Sequence, residues 1–220
     1  MQRILEPEVM DTWEEAIDYD AMDFTEVNTA FALEAIALGP KQASLILDAG
    51  TGTGRIPVLI CQMCPQWQIL AIDLAENMLQ LAAQHIQQAN LQQQIHSQLV
   101  DAKHLPYEDQ VFDMVISNSL VHHLPNPLLF FQELKRVTKP NSGILIRDLI
   151  RPVDEVTMNA LVDSIGNEYD SHQKKLFRDS LHAALTIDEI KQLILAVGLA
   201  GVNIYQSSDR HWTIERPWTC

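Results

Sequence analysis

The chain has 220 residues, 47% of them hydrophobic and 20% charged, enough apolar material for one globular domain. Its 29 acidic and 15 basic side chains give a formal net charge of −14, which repels phosphate backbones and anionic bilayers and argues against bulk nucleic acid or a membrane surface as partner. The N-terminus has no basic start leading into an apolar run, no segment reaches the roughly 18 apolar residues of a membrane span, and three cysteines make a poor disulfide framework; the expectation is a cytoplasmic protein with reduced thiols.

Residues 7–38 read as helical, with Glu6-Pro7-Glu8 suiting a first turn and Thr25 placed to cap a second helix that Gly39-Pro40 ends. A compact alternation follows. Ser44–Ala49 is an apolar run, glycines cluster at 50–54, and 55–64 reads as a helix stopped by Pro65. Residues 67–73 form a second apolar run and 75–89 an amphipathic helix. Further strands are expected at 95–100, 111–117 and 142–148, with helix over 127–138. Continuous apolar strands alternating with helices predict an α/β fold whose parallel sheet is covered on both faces.

The last third changes character. Residues 152–183 carry two helix-like stretches and no strong strand. Thr186 and Glu189 have the spacing of a capping box, so a helix is expected from there to Val197, ending at Gly198. Two strands at 201–206 and 211–215, joined by a turn at Ser207–Arg210, then close the sheet as a hairpin. The whole chain reads as one domain: a helical cap over 1–43, a core over 44–151, a helical insertion over 152–183 and a final helix and hairpin over 184–220.

The most informative segment is Leu47-Asp48-Ala49-Gly50-Thr51-Gly52-Thr53-Gly54-Arg55. A strand ends, glycines turn the chain, and a helix begins at the carboxyl edge where open parallel sheets bind ligands. A dinucleotide loop would read G-x-G-x-x-G. Aligned on Gly50 and Gly52, its third glycine falls on Arg55. Asp48 sits two residues before the loop, where a pyrophosphate would add further negative charge; a carboxylate there suits a ligand that carries a cation. Asp73 ends the second strand and is placed to accept the hydroxyls of a ribose. Asp101-Ala102 follows the third strand, where an adenine would lie, and a carboxylate can accept from its exocyclic amine.

LDAGTGTG, AIDLAENML, DAKHLPYEDQVFDMVISNSLVHHL and KPNSGILIRD resemble, in order and spacing, the successive motifs of class I S-adenosylmethionine-dependent methyltransferases, in particular the type 11 branch that includes quinone-biosynthesis enzymes. The likeness covers about residues 44–148. It implies a Rossmann-like three-layer sandwich with a mostly parallel seven-stranded sheet ending in an antiparallel hairpin. It implies S-adenosyl-L-methionine as cofactor and S-adenosyl-L-homocysteine as product. Asp48, Gly50, Gly52 and Gly54 would surround the methionine part, Asp73 the ribose, Leu74 and Met78 the adenosine, and Asp101 and Ala102 the adenine. Asn118 and Ser119 would lie near the sulfonium, and Tyr19 and Met22 would close over the cofactor from the N-terminal segment. Thr51 stands where many relatives have cysteine, and Ala75 where a serine is common; neither change removes a charged contact.

Methyl transfer from a sulfonium needs a positioned nucleophile more than a catalytic dyad. Acceptor-side candidates fall in three places. His122 and His123 follow the fourth strand; a histidine there is placed to hold or deprotonate an acceptor hydroxyl, or else to pack the next helix. His123 and Asp148 are taken as the catalytic pair. Arg147, Asp148 and Arg151 leave the fifth strand; the arginines are placed to bind an acceptor carboxylate or phosphate, or else to form internal ion pairs. Arg210 lies at the tip of the last hairpin. The insertion is expected to cover the pocket and exclude water. Cys61 and Cys64 form a lone C-x-x-C without a second pair, and the histidines show no helix-spaced metal motif, so no metal is expected. The acceptor is expected to be a small molecule and the protein a monomer or homodimer. The alternatives are a nicotinamide-dependent oxidoreductase and a non-catalytic cofactor-binding protein.

Overall fold

A computed structural model describes residues 1–7, 12–166 and 170–219. Two helices, α1 (Trp13–Asp20) and α2 (Thr25–Leu38), precede β1 (Ser44–Ala49), α3 (Arg55–Met63), β2 (Trp67–Asp73), α4 (Glu76–Gln88) and β3 (Ile95–Leu99). The chain continues through β4 (Phe112–Asn118), a 3-10 turn at Val121–His123, α5 (Pro127–Val137) and β5 (Thr138–Leu149). The insertion holds α6 (Glu155–Ser164) and α7 (Ser171–Ala183); α8 (Ile187–Val197), β6 (Asn203–Gln206) and β7 (His211–Arg216) complete it. The seven strands run in the order β3-β2-β1-β4-β5-β7-β6. The first five are parallel, and β7 pairs antiparallel with both β5 and β6. This is the Rossmann-like arrangement that the motif likeness implies.

Strand periodicity distributes the core. Leu47, Val115 and Ile144 face one side with Phe130 and Phe131 of α5, Ile190 and Ile194 of α8, and Trp212. Their neighbours Ile46, Met114 and Leu145 face the other side with Phe31 and Ala35 of α2 and Ile60 of α3. Successive side chains of a strand alternate between faces, so unbroken apolar runs require helices on both. Trp67 is fully buried and donates its indole N–H to the Pro40 carbonyl at 3.1 Å. A Cβ on Gly39 would meet the Trp67 ring at 2.4 Å, so that turn admits no side chain.

The ends of the chain differ from the sequence reading. Pro7 itself is not helical, and the expected start at Glu6-Pro7-Glu8 runs into residues 8–11, outside the described ones. α1 begins after Thr12, whose side chain forms a complete capping box with Glu15. Residues 1–7 find tertiary partners: Ile4 N–H donates to the His182 carbonyl, and Arg3 donates to the carbonyls of Ala183, His122 and Leu124. Thr25 is the first helical residue of α2 rather than its cap; Asp23 Oδ1 accepts its N–H at 3.0 Å. β5 starts at Thr138, earlier than the expected 142, because Thr138 pairs with Phe112 across a register shift. Thr186 and Glu189 do form their box, and Gly198 ends α8 in the left-handed region at φ 68°. α6 and α7 build a small core of their own on Leu149, with Met158, Leu161 and Leu181 buried in it.

Candidate active site

The carboxyl ends of β1, β2 and β4 open into a cleft of about 700 Å³. α1 and the segment after it form one wall, and α7 with the hairpin tip forms another. Its size is in the range of sites that enclose a small ligand, roughly 300–1,000 Å³.

The glycine loop makes its floor. Gly50, Gly52 and Gly54 all have positive φ, at 74°, 55° and 74°. Their neighbours give them different tasks. A Cβ on Gly54 would meet Ala82 of α4 at 2.8 Å, whereas a Cβ on Gly52 would meet nothing within 4 Å and would stand in the cleft. Gly54 therefore serves helix packing, and Gly52 serves the open space a ligand needs.

Two acids lie under this loop. Asp48 is buried and accepts from the Thr51 hydroxyl at 2.6 Å; burial pushes its pKa up to about 7, with the nearby Asp73 charge adding to the effect. Asp73 accepts from Gly52 N–H at 2.8 Å through one oxygen and from Ala75 N–H at 2.9 Å through the other. Burial raises its pKa as well, against these backbone donors. Desolvated carboxylates with raised pKa values favour a cationic ligand, which relieves the cost of ionising them. Asp101 differs. Burial works against its charge, but Lys103 outweighs it through backbone and side-chain bonds, with His104 adding a further bond, and the carboxyl is held below its usual range.

Most of the expected cofactor residues meet in this cleft: Tyr19, Met22, Gly50, Gly52, Asp73, Leu74, Met78, Asp101, Ala102, Asn118 and Ser119 all line it. Ser119 has φ 59° and donates its N–H to the Arg147 carbonyl, the kind of strained non-glycine backbone that clusters at ligand sites. Asp48 and Gly54 sit behind the lining. Arg55, the residue that breaks the dinucleotide pattern, grips Asp20 at the end of α1 with two 2.8 Å bonds. Its side chain ties the N-terminal wall to the loop.

A model of the methyltransferase domain family matches residues 40–198. This chain belongs to that methyltransferase family. It is 32% identical over 117 residues to the demethylmenaquinone methyltransferase of Lactobacillus johnsonii, an alignment that covers 53% of this chain and 48% of that protein. The chain thus spans about half the length of that curated relative. Its fold matches a putative S-adenosyl-L-methionine-dependent methyltransferase from Methanococcus maripaludis with TM-score 0.73 at 18% identity, over 100% of this chain and 98% of that one. The plantazolicin methyltransferase in complex with S-adenosylhomocysteine matches with TM-score 0.68 at 18% identity, over 93% and 89%.

Within this methyltransferase domain the acceptor-side expectations divide. His122, His123, Arg147 and Arg210 line the cleft. Arg147 is already committed, donating to Glu34 Oε2 at 2.5 Å and to the Thr213 hydroxyl at 3.0 Å. Arg151 is a correction: its guanidinium is buried on the Ala184 carbonyl and Glu189, away from the cleft, because the α8 capping box turns Glu189 towards it. Asp148 is a second correction, since it is fully buried and touches no part of the cleft. It accepts from the N–H groups of Val121, His122 and Leu149 and from His122 Nδ1 at 2.5 Å. It fixes the turn that carries both histidines. Burial opposes charge on His122, but Asp148 and then Glu6 outweigh it and raise the pKa. His123 is pushed down to about 3 by burial, with the His122 charge adding to the effect. Cys61 and Cys64 are buried free thiols, and burial pushes Cys61 up to about 12. Ser207 and His211, in the hairpin tip that the sequence offers as its third acceptor-side place, stand on the cleft wall with Arg210. Sequence reasoning missed Phe177 on that wall and Glu6 beside the two histidines; nothing local marked them, and they arrive through α7 and the N-terminal strap. Among the described residues no helix is long and apolar enough to cross a membrane.

Proposed function

We propose that this protein transfers the methyl group of S-adenosyl-L-methionine to a small-molecule acceptor held between the glycine loop and the histidine turn. The observation that carries this reading is the pair of acids, buried Asp48 and half-buried Asp73, beneath a loop whose central glycine opens onto the cleft. The same place on a nicotinamide enzyme would have to receive a diphosphate.

The cofactor supplies, when bound, an activated methyl group on a positively charged sulfur. The chain's own part is to bind, orient and exclude water. On this reading Asp73 accepts the ribose hydroxyls while its backbone bond to Gly52 holds the loop, and Asp101 meets the adenine edge. Tyr19 and Met22 cover the cofactor, with the Asp20–Arg55 fork holding α1 in place. The acceptor then occupies the remaining space by His123, Arg210, His211 and Phe177. Arg210, whose guanidinium lies 5.7 Å from the Phe177 ring centre, is the cation placed to orient an anionic group on it. Asp148 becomes a positioning residue rather than a catalytic one. A cleft of this size supports a small acceptor, and the acidic chain argues against bulk nucleic acid.

Calorimetry with S-adenosylhomocysteine and with NAD tests the cofactor, and transfer of labelled methyl from the cofactor into the small-molecule fraction of a cell extract tests the activity. Binding of NAD without binding of the thioether would reject the reading. Label recovered only in protein or nucleic acid would reject the acceptor class.

A further inference from the structure

The histidine turn meets the N-terminal strap at a cluster whose chemistry cofactor binding does not use. Glu6 Oε1 lies 3.4 Å from His122 Nε2 and 3.1 Å from His123 Nδ1. The three candidate ligand atoms lie within 4.8 Å of one another. Glu6 Oε1 and His123 Nδ1 are buried and accept or donate no hydrogen bond. They are close but do not point at each other, as expected of lone pairs directed at a shared point.

Two of the three side chains are oriented by a partner on their other side. His122 Nδ1 donates to Asp148, which leaves Nε2 with its lone pair. Glu6 Oε2 accepts from the Ser180 hydroxyl at 3.2 Å. Metal-binding histidines are held this way, through a carboxylate or carbonyl on the second nitrogen. A tetrahedral ion with bonds of about 2.0–2.1 Å to nitrogen and oxygen has ligands about 3.3 Å apart, which is the spacing of Glu6 from both rings. The nearest guanidinium, Arg3, is committed to three backbone carbonyls. Glu6 and Asp148 supply two negative charges to balance a divalent ion.

We propose that Glu6, His122 and His123 form a binding site for a divalent transition-metal ion of zinc type. Both imidazoles line the cleft, so the ion sits at its wall with a coordination position left for an oxygen ligand. Three protein ligands with one open position is the pattern of a Lewis-acid site rather than of a closed structural one. The open position would take a hydroxyl, enol or carboxylate oxygen of the acceptor and favour its deprotonated form; that use rests on the methyl-transfer reading, whereas the site itself does not.

The test uses the untagged full chain, stripped with a chelator and titrated with Zn²⁺ by calorimetry and with Co²⁺ by absorption. One equivalent should bind, with the intense visible band of four-coordinate cobalt on nitrogen and oxygen. Glu6→Gln and His123→Ala should each weaken binding at least about 100-fold, and Asp148→Asn about 10–100-fold. Circular dichroism reports whether each variant is folded. If the variants do not fold, the cobalt spectrum of the unchanged protein still decides. No stoichiometric binding, sulfur-to-cobalt bands pointing to Cys61 and Cys64, or undiminished binding in folded Glu6→Gln would each overturn the site. S-adenosylhomocysteine binding, measured separately, keeps the two readings apart: its absence would sink the cofactor proposal and leave the metal result standing.

Discussion

Gly52 donates its backbone N–H to Asp73 Oδ2 at 2.8 Å, joining the middle of the glycine loop to the end of the neighbouring strand. One carboxylate therefore shapes the loop and faces the cofactor. Asp73→Ala should weaken S-adenosylhomocysteine by about 1.5–3 kcal/mol, the scale for hydrogen bonds to a charged group, or roughly 10–150-fold in Kd. Asp73→Asn should recover less than half of that, because an amide offers one acceptor oxygen in place of two. Calorimetry measures both, and an unchanged Kd for Asp73→Ala would mean that the ribose lies elsewhere.

The sequence made this junction readable because every part of it is local. Apolar runs mark the strands, and glycines mark the turn between Asp48 and Arg55. Acids at strand ends have few roles in a parallel sheet. The acceptor side was less readable. Arg147 and Glu34 are 113 positions apart, and no spacing rule pairs them, so Arg147 read equally well as an anion site or as an internal ion pair. Arg151 was open in the same way until the α8 capping box supplied Glu189. Glu6 lies in a segment whose proline and acids resemble a helix start. Its backbone instead runs beside α7, and only the folded chain shows what its carboxylate meets.

The glycines differ in a way that substitution should expose. Gly54→Ala puts a methyl 2.8 Å from Ala82 in a left-handed conformation, so it should cost about 2–4 kcal/mol of stability from strain and overpacking together. Gly52→Ala meets open space and should cost only the conformational strain, about 1–2 kcal/mol, yet it places a methyl where the ligand must approach. Thermal or urea unfolding should therefore rank Gly54→Ala as the less stable protein. Calorimetry should rank Gly52→Ala as the poorer binder among folded variants. The reverse order in either measurement would break the division of labour between the two residues.

The N-terminal wall depends on a fork that is partly exposed. Asp20 also lies 3.3 Å from His85 Nε2, but Arg55 is about half exposed, which limits the pair to about 1 kcal/mol or less. Asp20→Ala should leave global stability nearly unchanged while raising amide hydrogen exchange across Trp13–Asp20. Release of S-adenosylhomocysteine should speed up by no more than about fivefold. Unaltered exchange in α1 would show that Tyr19 and its neighbours hold the wall without the fork.

Asp48 ties ligand affinity to pH with a definite sign. Its folded pKa, near 7, lies above the usual carboxylate value of 3.8, so folding takes up a proton. The contribution to stability is fully present below about pH 4 and is lost as pH rises through 7. A cationic ligand works in the opposite direction, since it favours the ionised acid and expels the proton. Affinity for S-adenosyl-L-methionine should fall as pH drops below 7, by up to tenfold per unit, and level off above it. Asp48→Asn should flatten that profile, weaken binding at pH 8 and raise the thermal midpoint more at pH 8 than at pH 5. The two effects follow from one buried charge that costs the empty fold stability and favours the cationic ligand. Calorimetry in buffers of different ionisation enthalpy would count the released proton, and no release at pH 6.5 would place the cation away from Asp48.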